Sequence, residues 1–363
     1  MERFVDTVII GSGDVVEKRL FPALMRKLES FPAGKRGFID VFSLDDIKDL
    51  PSRWGFPRTD NPYLPERTER VFDIFSRLKD RGDVVAWVAV PSDWHLYYLD
   101  FLDGLASFVV VEKPVVACRD DLSVLDGVVG SDRRKRIFFL SYYLLEKALP
   151  LMFLRRPRAF YLKYLDGDVG SFLQMYLKAG GLRELSVGFV EAGDDRRLPE
   201  GGQLVETMVH HCLVASLFVG FPQGWGLVRF RRDELYGKML VLEAVGRKSE
   251  KIRLSLKKGF TPEFPAKRQY ALLRFAHAVL EADFDRKTAK ITDRDGNAVE
   301  VSVKAEFSQA YAVQCDMVYR CFLDGFDPSK VDGLYNQKEV LEWLFALDGR
   351  FPADVVTDWE ADA

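Results

Sequence analysis

Four short stretches of this chain carry residue types at spacings that can do chemistry. The first, Gly11-Ser12-Gly13-Asp14-Val15-Val16, ends an apolar run and opens a helical pattern. A first glycine permits a tight strand-to-helix turn, a second lets the backbone approach a pyrophosphate, and the helix N-terminus offers N–H groups to the anion. An ordinary βα turn also uses glycine for positive φ, so its place at the head of a strand-helix series gives the motif its weight. Two further stretches, Val90-Pro91-Ser92-Asp93-Trp94-His95 and Glu112-Lys113-Pro114, each close an apolar run. A lysine at the carboxyl end of a central parallel strand lies where open α/β sheets bind ligands. An isolated lysine in such a turn is otherwise a surface charge.

The fourth stretch runs from Gly201-Gly202 through Glu206 to His210-His211. On one helix, Glu206 and His210 share a face. A carboxylate that orients an imidazole makes an acid/base unit whose pKa suits proton transfer near neutrality. His211 points about 100° away from His210 on a helix. The pairing favours His210, with His211 as the alternative and core packing as the ordinary fate of such a pair.

These residues need a scaffold. Apolar runs at 7–10, 38–42, 84–90 and 108–111 alternate with helical patterns at 18–29, 66–80, 95–104 and 120–129. That is the pattern of βαβ units on a parallel sheet, and the last two strands are apolar enough to be covered on both faces. The Pro-rich stretch 51–65 reads as a surface excursion. After the second strand, Ser43 stands where the adenosine ribose is met, with Asp45 and Asp46 beyond it. The choice between NAD and NADP stays open on these residues. Further strands are expected at 137–143, 159–165, 172–178, 227–230, 239–244 and 251–256, and helices at 204–218, 268–281 and 308–323. The expected fold is therefore an α/β Rossmann domain over 1–140. An α+β domain with a large, mainly antiparallel open sheet follows over 141–363, its last residues either staying there or returning to the first domain.

The bulk numbers exclude several classes of function. With 52 basic and 55 acidic residues in 363, the net charge is -3, which offers no broad attraction for nucleic acid or anionic lipid. The N-terminus lacks a basic flank and a small-residue cleavage site, and no apolar stretch approaches the roughly 20 residues of a membrane span. The four cysteines show no paired spacing and the four histidines no metal-ligand spacing. A cytoplasmic protein with reduced thiols and no metal, membrane or nucleic-acid partner is expected.

Taken together, the motifs resemble the glucose-fructose oxidoreductase and inositol dehydrogenase family (Gfo/Idh/MocA) and its relative glucose-6-phosphate dehydrogenase. Residues 12–24, ending in Pro22-Ala23-Leu24, resemble the nucleotide-binding start of the latter. Val90 to His95 resembles the family's turn after the fourth strand, Glu112-Lys113-Pro114 its Glu-Lys-Pro signature, and 201–211 its helix bearing an aspartate and a histidine. The resemblance implies catalytic Lys113, His210 and Glu206, with Lys113 reaching the substrate carbinol. It implies NAD or NADP held by Gly11, Ser12, Gly13, Asp14, Val15, Ser43, Pro91, His95 and Glu112, and substrate contacts from Lys113, Tyr143 and His211. It also implies a cis bond before Pro114, a sugar, sugar phosphate or cyclitol as substrate, and a homo-oligomer, dimer or tetramer.

Departures from the family pattern are visible. Val16 replaces a third small residue, Glu206 a shorter aspartate, and Met208 a glycine. Of a phosphate-gripping motif only Tyr143 is in place: Ser141 replaces an aspartate and Lys147 sits one position late. Residues 267–273 resemble a later helix of glucose-6-phosphate dehydrogenase, and Arg155, Arg156 and Arg158 offer charge for a phosphate or a solvated face. A dinucleotide- or sugar-sensing regulator without turnover is the rival reading. An assembly scaffold on the same fold is the third.

Overall fold

The structure is a computed structural model that describes residues 5–11, 13–31, 36–42, 58–59, 83–128, 133–140, 143–154, 158–192, 201–234, 238–259, 268–328 and 334–361. The chain divides into two compact units, Met1–Leu140 with Gln309–Leu334, and Ser141–Ser308 with Tyr335–Ala363.

The first unit is built on six parallel strands: β1 (Val5–Ile10), β2 (Arg36–Phe42), β3 (Arg58–Thr59), β4 (Asp83–Val88), β5 (Phe108–Val111) and β6 (Ile137–Phe139). Their order is β3-β2-β1-β4-β5-β6. Successive strands run outward from β1 in one direction and from β4 in the other, so β1 and β4 flank a topological switch point, where open sheets bind nucleotides. β1 and β5 are buried along their whole length and β4 over all but Asp83, as strands covered on both faces must be. Helices Phe21–Glu29, His95–Phe101 and Arg119–Val128 lie where the sequence periodicity expects them. The strand expected at 137–143 stops at Phe139, and Tyr143–Lys147 winds into a π-helical turn instead.

The helix Ala312–Asp324 belongs to this unit rather than to the residues that precede it. Its polar residues fit the first strand and helix: Tyr319 Oη and Thr7 Oγ1 share a hydrogen bond of 2.6 Å, and Lys27 Nζ meets Asp316 Oδ1 at 2.8 Å. The Tyr319 ring packs edge-on to Phe31, with centroids 5.4 Å apart. A buried hydroxyl in the middle of an apolar strand needs such a partner.

The second unit carries a ten-stranded sheet. Its strands are β7 (Leu165–Gly167), β8 (Leu182–Ala192), β9 (Gly226–Asp233), β10 (Met239–Val245), β11 (Lys251–Gly259), β12 (Arg268–Phe275), β13 (Ala278–Asp283), β14 (Thr288–Asp293), β15 (Ala298–Val303) and β16 (Thr357–Glu360). The order is β16-β9-β10-β11-β8-β12-β13-β14-β15-β7, and every pairing is antiparallel except β11 with β8. A parallel pair needs a crossover. The helix Met208–Val219 lies on the path between β8 and β11 and packs on both.

Four expectations fail in this unit. Residues expected as strands at 159–165 and 172–178 form the helices Arg158–Leu162 and Val169–Lys178. Asp168 caps the second, its Oδ1 accepting from Ser171 N at 2.9 Å, a local signal that outweighs the apolar run. The helix expected at 268–281 is the hairpin β12–β13. Its Ala, Leu and Glu content favours helix by propensity, but Gln269, Ala271, Leu273, Leu280 and Ala282 alternate onto one buried face and β12 pairs in register with β8. The likeness of 267–273 to a helix of glucose-6-phosphate dehydrogenase falls with it. The helix expected at 204–218 is broken at Thr207 into Gly202–Glu206 and Met208–Val219. The helix expected at 66–80, and Ser12, Ser43, Asp45, Asp46, Arg155 and Arg156, lie outside the described residues. No helix among the described residues is long and apolar enough to cross a membrane.

Candidate functional site

In the first unit the sequence-nominated residues gather at the carboxyl ends of adjacent strands β1, β4 and β5. Gly11 has φ +112°, and a Cβ there would stand 2.2 Å from the carbonyl oxygen of Ala89, so the close passage of β4 requires glycine. A Cβ on Gly13 would meet nothing within 4 Å. The second glycine is thus not demanded by packing, and its backbone borders open space, as a turn that receives a pyrophosphate requires. Gly13 O accepts the N–H groups of Val16 and Glu17 at 2.8 and 3.1 Å, which starts the helix. Asp14 is exposed and paired with Lys18 at 2.7 Å, and Val15 is partly exposed. Val16 is fully buried, and the winding from Val16 to Leu20 is π-helical where the branched residue enters.

Pro91, exposed, opens the turn after β4. His95 is buried below it, with Nε2 2.9 Å from Val90 O and Nδ1 2.8 Å from Pro114 O. The imidazole sits between the loop after β4 and the loop after β5, and a neutral ring donates its one N–H to one of the two carbonyls. Burial depresses its pKa to about 4, against the two carbonyls that favour the proton, so the ring is neutral at neutral pH. As a cofactor contact His95 has no spare ring nitrogen. Its geometry is that of a residue that sets where the Lys113 loop sits.

The peptide before Pro114 is cis, as the resemblance implies. Glu112 Oε2 accepts from Lys113 N at 3.3 Å, and Glu112 Oε1 accepts from the hydroxyl of Tyr311. Tyr311 was not foreseen from the sequence. It precedes the helix Ala312–Asp324 with φ +66°, a conformation rare for a tyrosine.

In the second unit the break at Thr207 changes the expected geometry. Thr207 Oγ1 donates to Gln203 Oε1 at 2.7 Å, and Thr207 O accepts from His210 N at 3.1 Å. Glu206 ends one helical segment and His210 lies in the first turn of the next, so the shared face of a continuous helix does not apply to them. His210 is 2% exposed. His211 is buried with Nδ1 3.2 Å from Thr207 O and Nε2 2.9 Å from Ser255 O, its ring tilted at 41° against Phe189 with centroids 3.9 Å apart. Both of its nitrogens face backbone, which makes it a tie to β8 and β11 and argues against the substrate contact expected of it. Tyr143 opens the π-helical turn, and its side chain lies outside the description.

Lys147 is buried, donating to Gln269 and lying 3.4 Å from Asp285, while neighbouring Glu146 is fully buried against Lys287 at 3.1 Å. The lysine that sequence position offered for a phosphate is an internal tie between the π-helical turn and the β12–β14 region. A hollow of about 270 Å³ on the outward face of the ten-stranded sheet, lined in part by Arg268, Tyr270, Glu281, Lys290 and Glu300, contains none of the nominated residues.

A six-stranded parallel sheet with its switch point at a glycine turn, followed by a large, mostly antiparallel open sheet, is the Rossmann and α+β fold expected from the sequence. No family model and no curated protein matches the sequence. Solved structures carry the likeness. A 3-ketoreductase from Actinomadura kijaniata, in complex with TDP-benzene and NADP, has a TM-score of 0.62 at 18% identity over 95% of this chain and 97% of its own. UDP-N-acetylglucosamine 3-dehydrogenase from Acidithiobacillus ferrooxidans has 0.64 at 13% over 94% and 95%. Biliverdin reductase from Synechocystis, in complex with biliverdin and NADP+, has 0.64 at 11% over 95% and 98%.

Proposed function

We propose that this protein is an NAD(P)-dependent oxidoreductase acting between a secondary alcohol and a ketone on a sugar, sugar phosphate or cyclitol. The observation that carries this reading is the conjunction, at the carboxyl ends of β1 and β5 on either side of β4, of a glycine turn open at Gly13 and the Glu112-Lys113-Pro114 loop. The two reductases of like fold that were crystallised with NADP support the same group here.

When bound, the nicotinamide supplies hydride acceptance or donation at its C4. The backbone of Gly11, Ser12 and Gly13 and the helix start at Asp14 and Val15 would hold the pyrophosphate, with Ser43, Pro91 and Glu112 as the further contacts that the resemblance implies. In the direction of oxidation, His210 takes the proton of the substrate hydroxyl on a ring nitrogen. The resemblance gives Lys113 the role of hydrogen-bond donor to the oxygen as negative charge develops on it, and Glu206 that of orienting substrate or imidazole. His210 is preferred to His211 because both nitrogens of His211 are engaged by backbone carbonyls. The outward face of the ten-stranded sheet, with its mixed charges, pairs with a second copy of the chain, which sedimentation velocity tests.

The burial of His210 favours a second reading, a regulator that binds dinucleotide or sugar without turnover. Absorbance of reduced nicotinamide, followed while NAD or NADP is mixed with a panel of sugars, sugar phosphates and a linear tetrapyrrole, separates the two. Turnover on a sugar that is lost in Lys113→Ala and His210→Ala, with cofactor-induced thermal shifts retained, supports the enzyme. Thermal shifts without turnover select the regulator, and turnover on the tetrapyrrole alone overturns the sugar assignment.

A further inference from the structure

The segment that leads to His210 begins without an N-cap of its own. Gly201 precedes the helix Gly202–Glu206 at φ +82°, and no side chain of the segment caps it. The cap arrives from β9. Glu234, just beyond the end of that strand, accepts Gln203 N on Oε2 at 3.1 Å and Leu204 N on Oε1 at 3.2 Å, so one carboxylate satisfies two of the open N–H groups. Room for it depends on Gly202: a Cβ there, at φ +56°, would stand 2.2 Å from Glu234 Oε2.

The carboxylate is itself held. Arg232, fully buried in β9, lies 3.2 Å from Glu234 Oε1 and 2.7 Å from Asp348 Oδ1, donates to Phe351 O, and donates to Gly201 O at 3.1 Å. One guanidinium therefore grips the turn before the helix and the acid that caps it, while Asp348 and Phe351 fix the guanidinium from the far side. Its planar fork suits such a set of oxygens. Burial raises the Glu234 pKa and Arg232 opposes this.

We infer that Glu234, anchored by Arg232, is a positioning residue that sets the register of the Gly202–Glu206 helix and so the placement of Glu206 and His210. The inference rests on the functional reading above only in its kinetic arm. It gives Gly202 a specific task, clearance for an imported cap. Misplacement of a reacting group by about 1 Å costs roughly 10²-fold in rate, so the register of this helix is a sensitive point.

The test uses the full-length chain with Glu234→Ala, Glu234→Gln and Gly202→Ala. Asp348 still neutralises Arg232 when Glu234 is shortened, and Gly202→Ala reaches the same contact without touching the charges. Three readouts are taken: amide exchange at Gln203 and Leu204, the NMR titration of the His210 ring, and the pH profile of kcat. Faster exchange at both amides, a displaced His210 titration, and kcat lowered roughly 10²-fold with KM for the nicotinamide cofactor unchanged are expected in Glu234→Ala and Gly202→Ala. Glu234→Gln, which keeps one acceptor oxygen, restores part of each. A His210 titration that stays put while the two amides exchange freely overturns the inference, whether or not the wild type turns over. Absence of wild-type turnover with the His210 titration displaced leaves the positioning standing and removes the dehydrogenase reading instead.

Discussion

The hydroxyl of Tyr311 donates a hydrogen bond to the carboxylate of Glu112, a residue 199 positions earlier, and does so from a left-handed backbone conformation. A non-glycine residue held there costs on the order of 1–3 kcal/mol and persists because its surroundings fix it. The other oxygen of Glu112 accepts the amide of Lys113, so the tyrosine steadies the backbone that presents the lysine. Tyr311→Phe is expected to lose about 1.5–3 kcal/mol, as for a hydrogen bond to a charged group, read as faster amide exchange in β4 and β5. On the proposed mechanism kcat falls as well.

Gly11 and Gly13 should part company on substitution. Gly11→Ala drives a Cβ into Ala89 O at a positive φ and is expected to destabilise the first unit, measured by its exchange protection. Gly13→Ala meets no neighbouring atom and is expected to leave protection unchanged while weakening NADP binding in calorimetry. Equal effects of the two on stability would contradict the geometry.

The His95 tie makes the first unit sensitive to acid. The ring is neutral when folded, with a pKa of about 4, and free to charge when unfolded near 6.5. Its contribution is complete above pH 6.5 and is lost as pH falls from there toward 4, because only the unfolded chain takes up the proton. Between pH 7 and pH 5 that is about 2 kcal/mol. Amide exchange in β4 and β5 at the two pH values should show this loss in the wild type and not in His95→Gln.

His210→Ala and His211→Gln should differ in kind. The first removes the proposed acid/base group and is expected to abolish turnover while the cofactor-induced thermal shift persists. The second breaks contacts to Thr207 O and Ser255 O, so destabilisation is expected with the shape of the pH–rate profile retained.

Lys147→Met tests the internal tie against a phosphate grip. Removing one partner of a buried ion pair typically costs 3–5 kcal/mol, roughly halved here because Asp285 is about a third exposed. Lower thermal stability is expected with an unchanged ratio of KM values for a sugar and its phosphate.

The parallel half of the fold was legible because 84–90 and 108–111 are short, apolar and separated by helical patterns, a signal internal to each segment. The hairpin at 268–281 was not, because its Ala and Leu content speaks for helix while the deciding partner, β8, lies far away in the chain. Strands β8, β14 and β15 and the helix Leu334–Arg350 were not anticipated for the same reason. At the candidate site, the glycine turn, Lys113 and His210 were readable as residue types. What holds them was not: Tyr311 for Glu112, Glu234 for the Gly201-Gly202 turn, and the break at Thr207 each depend on a contact or dihedral that the sequence does not mark.

The first unit is discontinuous in sequence. Thr7 and Lys27 find their polar partners on a helix that is synthesised only after the whole of β7 to β15. On the ribosome the first 140 residues therefore emerge with a buried hydroxyl and a cation still unmatched, and they must wait while the inserted segment folds. Fragments ending near residue 140 should be sticky and poorly ordered, and supplying residues 309–334 as a separate peptide is the direct way to complete them.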